Sequence, residues 1–423
     1  MVQELQAEVV VVGAGPAGCA AAYYLARRGV DVVVLERATF PRSKVCGDGV
    51  APRAVRALHD MGLEQELEQA GYRRIRAFRV VGSWGEAVKA GIRRRNCTPD
   101  YAYVVPRSHL DDMLVAAVRR RGARVIEGVR AQGTLTQTCG SRLGVTALKA
   151  DGSTFVVKAR VVVAADGSRG SFSRSFLPRG ALTPNVIALR AYMAGVEEVD
   201  DALHFFLDKP LLPGYGWIFP GGRRGAPANV GVGMPVPALR RRKMGLRDVF
   251  SWFLGPESVA AAHLARARII DPPQAFPLQL RYVRGRRRVG PILTVGDAAN
   301  LINPLSGEGI AYALESGRIA ADAIMHAFVS GPDVLSSYER RIDQAFAVDY
   351  LEGYALRRIL SIPWVNGGVV RLLSRDERLA MGAMGILTNT IPPGRLLQPS
   401  LWTAMLSPSR LRATLHRVRP ARG

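Results

Sequence analysis

The sequence predicts an α/β protein in three parts: a discontinuous domain on a parallel sheet, a second domain on an antiparallel sheet, and a helical C-terminal region. Three observations carry this. Residues 8–37, EVVVVGAGPAGCAAAYYLARRGVDVVVLER, spell a strand, a glycine turn, a helix and a second strand that ends in an acid. The apolar signature of a strand buried on both faces returns at VVVAADG and again at VGPILTVGDAAN, almost 300 residues downstream, so a distant segment closes the first domain. Between them, ALRAYMAGV, DALHFFLD, GYGWIFP and ANVGVGMPV carry the alternating, aromatic pattern of an antiparallel sheet. The boundaries this suggests are 1–75, 100–185 and 276–330 for the first domain, 76–99 and 186–275 for the second, and 331–423 for the helical region.

The first segment carries a specific physical meaning. Gly13 permits the tight turn, Gly15 lets backbone approach a pyrophosphate, and Gly18 lets the helix pack close to the strand. The free N–H groups at the helix start then face negative charge. Glu36, about 18 residues after Gly18 and followed by Arg37, stands where a carboxylate accepts hydrogen bonds from a ribose. This is a Rossmann-like dinucleotide site. Further on, YVVPRSHLDDMLVAAVRRRG predicts a strand and then a helix beginning near Ser108, with Leu110, Met113, Leu114, Ala117 and Val118 on one face.

Composition narrows the classes. The chain has 423 residues, 48% hydrophobic and 22% charged, enough for two or three units with sizeable cores. Its formal charge is +23, but six lysines among 58 basic residues leave an arginine-dominated surface, and no aromatic-basic or helix-turn-helix motif supports nucleic-acid binding. An anionic membrane surface or an acidic partner suits the charge better. The N-terminus enters the first strand without a signal segment, and apolar runs stay short of the roughly 18 residues of a span, so a cytoplasmic protein, with membrane association at the inner face as an option, is expected. Cys19, Cys46, Cys97 and Cys139 are scattered without a C-x-x-C pair, which predicts neither disulfides nor a metal site.

Three separated motifs, GAGPAG at 13–18, AADGSRGSFSR at 164–174 and TVGDAANLINPLSGEGI at 294–310, together resemble the FAD-dependent oxidoreductases of the para-hydroxybenzoate hydroxylase superfamily. The resemblance implies that the first holds the ADP half of FAD, that Asp166 and Gly167 lie near the pyrophosphate, that Gly296 and Asp297 meet the ribityl chain, and that Arg107 is directed at the cofactor. Pro304 to Gly309 precede a helix whose N–H groups and dipole stabilise charge on reduced flavin, with Gly307 and Gly309 letting backbone meet the ring edge. Within the superfamily the chain resembles the geranylgeranyl reductase family. It shares FPRSKVCGDGV, whose Cys46, Gly47, Asp48 and Gly49 would lie beside the isoalloxazine ring. It also shares PGYGWIFPGGRRGAPANVGVG, with Tyr215, Trp217, Phe219, Pro220, Gly231 and Gly233. CGDG, PGYGWIFP and NPLSGEGI are also phrases of the menaquinone-reducing branch found in mycobacteria.

Tyr215, Trp217 and Phe219 alternate along a strand, so one row of side chains could wall an apolar channel for substrate. The resemblance implies hydride transfer from reduced FAD to a carbon-carbon double bond of an isoprenoid chain, with an acid protonating the other carbon. Cys46 and Tyr215 are the candidate acids, and Trp217 is grouped with them as catalytic. One Rossmann fingerprint implies transient NAD(P)H docking or an external electron donor, for which the basic surface would suit an acidic electron-transfer protein. A flavin monooxygenase acting on a terpenoid or polyketide is the alternative, and a membrane-associated binding module without activity the third.

Overall fold

A computed structural model of the chain describes residues 3–94, 97–136, 143–178, 180–199, 201–285 and 287–387. Cys139, Trp402 and the arginines from Arg395 onward lie outside the described residues.

The parallel sheet forms because its strands are valine-rich on both faces. Val9–Val12 lies between Val32–Leu35 and Val161–Ala164, and Ile292–Thr294 adds to the far side of Val161–Ala164. Alternation sends successive side chains to opposite faces. Val9, Val11, Val32 and Val34 meet the helices, while Val10, Val12, Val33 and Leu35 meet a small sheet made of Gln3–Gln6, Val129–Thr136, Leu143–Lys149 and Thr154–Ala159. The downstream segment thus adds a strand to this sheet, and its long helix Ile310–Ser330 lies against Pro16–Ala26. Gly317 makes that crossing possible, since a Cβ there would stand 2.3 Å from the Ala17 carbonyl oxygen.

The second sheet runs in the order Arg268–Ile269, Val186–Ala194, Ala228–Pro235, Tyr215–Phe219, Ala202–Phe206, Ala77–Val81, Ala87–Gly91, with Gln274–Leu278 also on Val186–Ala194. It is antiparallel with one exception, the parallel pairing of Ala202–Phe206 with Ala77–Val81. One face packs on Val249, Phe250 and Phe253 of the helix Leu246–Leu254. The other carries Phe78, Leu203, Trp217 and Phe219 and is capped in part by Val370, Leu373, Ala380 and Met384 from the helices Pro363–Leu373 and Glu377–Leu387. The C-terminal helices thus serve as the outer layer of this sheet. No helix among the described residues is long and apolar enough to cross a membrane.

Candidate functional site

The glycine turn is built as its spacing implies. Gly13 has φ +102°, and a Cβ on it would come 2.5 Å from the Ala165 carbonyl oxygen; a Cβ on Gly18 would come 1.9 Å from the Gly13 oxygen. Gly15 is different, because the nearest atom to its Cβ position is Arg42 Nη2 at 3.8 Å. Space therefore lies over Gly15, at the start of the helix Pro16–Ala26, whose first turn has no side-chain cap and no acid. Such a helix end offers unpaired N–H groups to an anion. Glu36 is buried and braces the turn, accepting from the Ala14 N–H at 2.8 Å and the Ala38 N–H at 3.0 Å. Arg37 is exposed beside it. Asp166 accepts from the Ser173 N–H at 3.0 Å and from its hydroxyl, so it fixes the start of Ser171–Phe176.

A cavity opens from Pro16 into the space between the two large sheets. The loop Cys46, Gly47, Asp48 and Gly49 forms one wall, and Arg107 and Asp297 stand at its nucleotide end. Pro304, Gly307 and Gly309 line it too, as do Tyr215, Trp217 and Phe219. Arg107 is held by both oxygens of Asp111 at 2.7 Å, and Lys44 lies 3.4 Å from Asp297. Gly307 has φ +71°, with Tyr215 Oη 2.8 Å from where its Cβ would be. Gly296, at φ +57°, has its Cβ position 2.8 Å from Ala17. Gly13, Gly15, Gly18, Glu36, Arg37 and Asp166 belong to the glycine-turn region and do not line the cavity.

The aromatic row faces inward because its neighbours make room. Trp217 pairs in register with Gly231, where a Cβ would lie 2.3 Å from the indole. A Cβ on Gly47 or on Gly49 would lie 3.2 Å from the Phe219 ring, so loop and row are in direct contact. The Trp217 indole N–H donates to Asn229 Oδ1 at 2.9 Å, and Asn229 Nδ2 donates to the Cys46 carbonyl and to Asp48 Oδ2, each at 2.8 Å. The Tyr192 hydroxyl donates to the same Asp48 oxygen.

Burial pushes the Asp48 carboxyl up to about 6, against hydrogen bonds from Tyr192 and Asn229 and the charges of Arg190 and Arg107. Burial likewise pushes up the Cys46 thiol and the Tyr215 phenol. The Tyr215 hydroxyl is committed, donating to the Ser306 carbonyl. Glu308, at the mouth of the helix Ile310–Ser330, is pushed up to about 7 by burial, and its Oε1 accepts from the Ala311 N–H at 2.8 Å.

Arg42, Tyr192, Asn229, Phe205 and Arg357 were not among the expected site residues. Arg42 had a signal in its place in the FPRSK loop, two residues before Lys44. Tyr192 and Asn229 had none, since only sheet register brings them to Asp48. His204, left out of the expected site, is fully buried and edge-on to His263 at 5.3 Å between ring centres. Among the described residues no group of His, Cys, Asp and Glu could hold a metal ion.

An uncapped helix end under an open glycine, continuous with a cavity walled by apolar side chains, fits a dinucleotide with a large planar ring at its far end. The FAD binding domain family profile matches residues 6–192, and the protein is an FAD-dependent oxidoreductase. The chain is 37% identical over 335 residues to a menaquinone reductase of Mycobacterium tuberculosis, covering 75% of this chain and 76% of that one. It is 33% identical over 366 residues to digeranylgeranylglycerophospholipid reductase 2 of Methanopyrus kandleri, covering 84% and 86%. The crystal structure of a geranylgeranyl bacteriochlorophyll reductase-like protein from Thermoplasma acidophilum superposes with a TM-score of 0.80 at 23% identity, over 98% of this chain and 99% of that one. The chain belongs to the geranylgeranyl reductase family of FAD-dependent oxidoreductases.

Proposed function

We propose that this protein reduces carbon-carbon double bonds in the isoprenoid chain of a hydrophobic substrate, of the menaquinone or geranylgeranyl type. The observation that carries the reading is the row Tyr215, Trp217 and Phe219, laid directly on the Cys46 to Gly49 loop, with Tyr215 against Gly307. An apolar chain entering this cavity would meet aromatic side chains and glycine backbone, which would hold the planar unit of an unactivated alkene without a polar handle. The names of the relatives from Mycobacterium tuberculosis and Methanopyrus kandleri point the same way.

When bound, FAD supplies the hydride. The chain's own residues do the rest. Gly13, Gly15 and Gly18 with the helix start would hold the pyrophosphate, Glu36 the ribose side, and Asp297 and Arg107 the reach toward the ring. The Cys46 to Gly49 loop and the Gly307 to Gly309 turn would clasp the ring and exclude water from the reacting carbon. Electrons would arrive from transient NAD(P)H or from an acidic electron-transfer protein drawn to the arginine-rich surface, and that same surface would suit an anionic membrane holding the substrate.

Anaerobic photoreduction, followed by mixing with menaquinone or geranylgeranyl substrates, tests this. Flavin reoxidation with a gain of two hydrogens in the product is expected. Inertness until oxygen enters, with a gain of one oxygen, would replace the reductase with a monooxygenase.

A further inference from the structure

We propose that Asp48 is the acid that protonates the second alkene carbon, with Tyr192 and Asn229 as its positioning residues. This rests on the reductase reading above. Asp48 lines the cavity, is 1% exposed, and sits at φ +62° in the loop that lies on Trp217 and Phe219. Its two oxygens are unequal. Oδ2 accepts from the Tyr192 hydroxyl and from Asn229 Nδ2, whereas Oδ1, equally buried, has no hydrogen-bond partner among the described residues. With Oδ2 taken by two donors, a proton on the carboxyl goes to Oδ1, which then has an O–H and no acceptor. A buried polar atom left unpaired costs free energy unless a ligand or a reaction uses it.

The other acids of the wall are less suited. Tyr215 spends its O–H on the Ser306 carbonyl. Cys46 is a weak acid made weaker by burial. Glu308 also lines the cavity with a free Oε2, but its other oxygen accepts from the Ala311 N–H, and the carboxylate it would leave has Glu315 and Asp349 as like-charged neighbours beside Arg53. Asp48 titrates near 6, and the carboxylate it leaves keeps two hydrogen-bond donors and the favourable charges of Arg190 and Arg107.

The step balances simply. The alkene π bond breaks; one carbon forms a C–H bond with hydride from reduced flavin, which is oxidised by two electrons, and the other forms a C–H bond with the proton of Asp48. The carboxylate that remains is held by Tyr192 and Asn229 and faces Arg107 and Arg190, until a proton returns from water through the half-buried Tyr192. The groups around Asp48 that bear on its titration are Arg107 from the helix Arg107–Arg120, Arg190 and Tyr192 from Val186–Ala194, Asn229 from Ala228–Pro235, Cys46 in its own loop, and Tyr72.

The test uses the FAD-loaded protein in three forms: wild type, Asp48→Asn and Tyr192→Phe. Single-turnover reduction of a geranylgeranyl substrate by the photoreduced protein should fall roughly a hundredfold or more in Asp48→Asn, with flavin still bound. In the oxidised protein without substrate, the difference between the infrared titrations of wild type and Asp48→Asn should show one protonated carboxyl lost near pH 6, while Asp208 and Glu308, which burial also raises, titrate in both proteins and cancel. Turnover in the wild type should fall as pH rises through that value. Tyr192→Phe removes a donor to the carboxylate, so its falling limb should move to higher pH. Turnover of Asp48→Asn within about threefold of wild type, or a difference titration without a carboxyl near pH 6, would overturn the assignment. Should Asp48→Asn fail to fold, an unmoved limb in Tyr192→Phe overturns it alone. A wild-type protein that leaves the alkene untouched sinks the reductase reading itself and this assignment with it; a wild type that reduces the alkene beside an equally active Asp48→Asn sinks only the assignment.

Discussion

The parallel-sheet half and the antiparallel-sheet half meet at one cavity, yet they contribute to it differently. The first contributes backbone above all, in the helix start at Pro16 beside the glycine turn and in the turn at Gly307, with Arg107 and Asp297 as its charged side chains. The second contributes side chains: Tyr215, Trp217 and Phe219 in one row, and Tyr192 with Asn229 beneath the Cys46 to Gly49 loop. Backbone sites depend on conformation, which glycine spacing writes into the local sequence. Side-chain sites depend on which strands become neighbours, and that is not local.

The difference explains how much could be read beforehand. Gly13 and Gly18 were legible because a Cβ at either position collides with backbone, so no other residue serves. The aromatic row was legible as period-two alternation. The Asp48 network was not. Tyr192 stands opposite Asn229 in the register of two strands, and the Asp48 that both contact is 144 residues before Tyr192 in the chain. Nothing in ALRAYMAGV or ANVGVGMPV marks that register. The parallel pairing of Ala77–Val81 with Ala202–Phe206 was equally invisible, because alternation alone does not give strand direction. Glu36 was legible as an acid at the strand end, but its two bonds to the N–H groups of Ala14 and Ala38 appear only with the turn folded around it.

The largest expected effect separates two glycines three residues apart. Gly18→Ala puts a methyl 1.9 Å from the Gly13 oxygen, and the helix must move off the strand, costing about 3 kcal/mol or more and flavin binding with it. Gly15→Ala meets nothing closer than 3.8 Å, so the flavin-free protein should keep its melting temperature while flavin retention weakens. Thermal melts with and without added FAD check both. Equal melting losses in the two variants would mean that the space over Gly15 is structural rather than a cofactor cradle.

Asp297→Ala comes next. It removes the partner of Lys44 at the nucleotide end of the cavity and should lose FAD on gel filtration, with the fold retained by circular dichroism. Normal flavin binding in this variant would break the assignment at its centre. On the other side of the comparison, Trp217→Ala should keep FAD and lose turnover by roughly tenfold to a hundredfold, because the row no longer holds the alkene in place. It should also destabilise by about 3 kcal/mol, since a mostly buried indole and its bond to Asn229 disappear together. A Trp217→Ala protein that sheds its flavin would erase the division of labour between the two halves.

The last effect lies at the seam and is confined to one pH interval. Glu308 is half-buried at the start of the helix Ile310–Ser330, with its Oε2 shut off from solvent, and its carboxyl is raised from 4.5 to about 7 in the folded protein. Between those values the folded state keeps a proton that the unfolded state has lost, so stability falls as pH rises, by up to about 3 kcal/mol across the interval. Glu308→Gln retains an oxygen for the Ala311 N–H and removes the titration. Its melting temperature should match that of the parent near the acid end of the interval and exceed it above the alkaline end. The sign is decisive. A carboxylate stabilised by the helix dipole would give the opposite result, with the parent more stable at high pH, because negative charge at a helix N-terminus is favourable where it is solvated. Here burial outweighs the dipole.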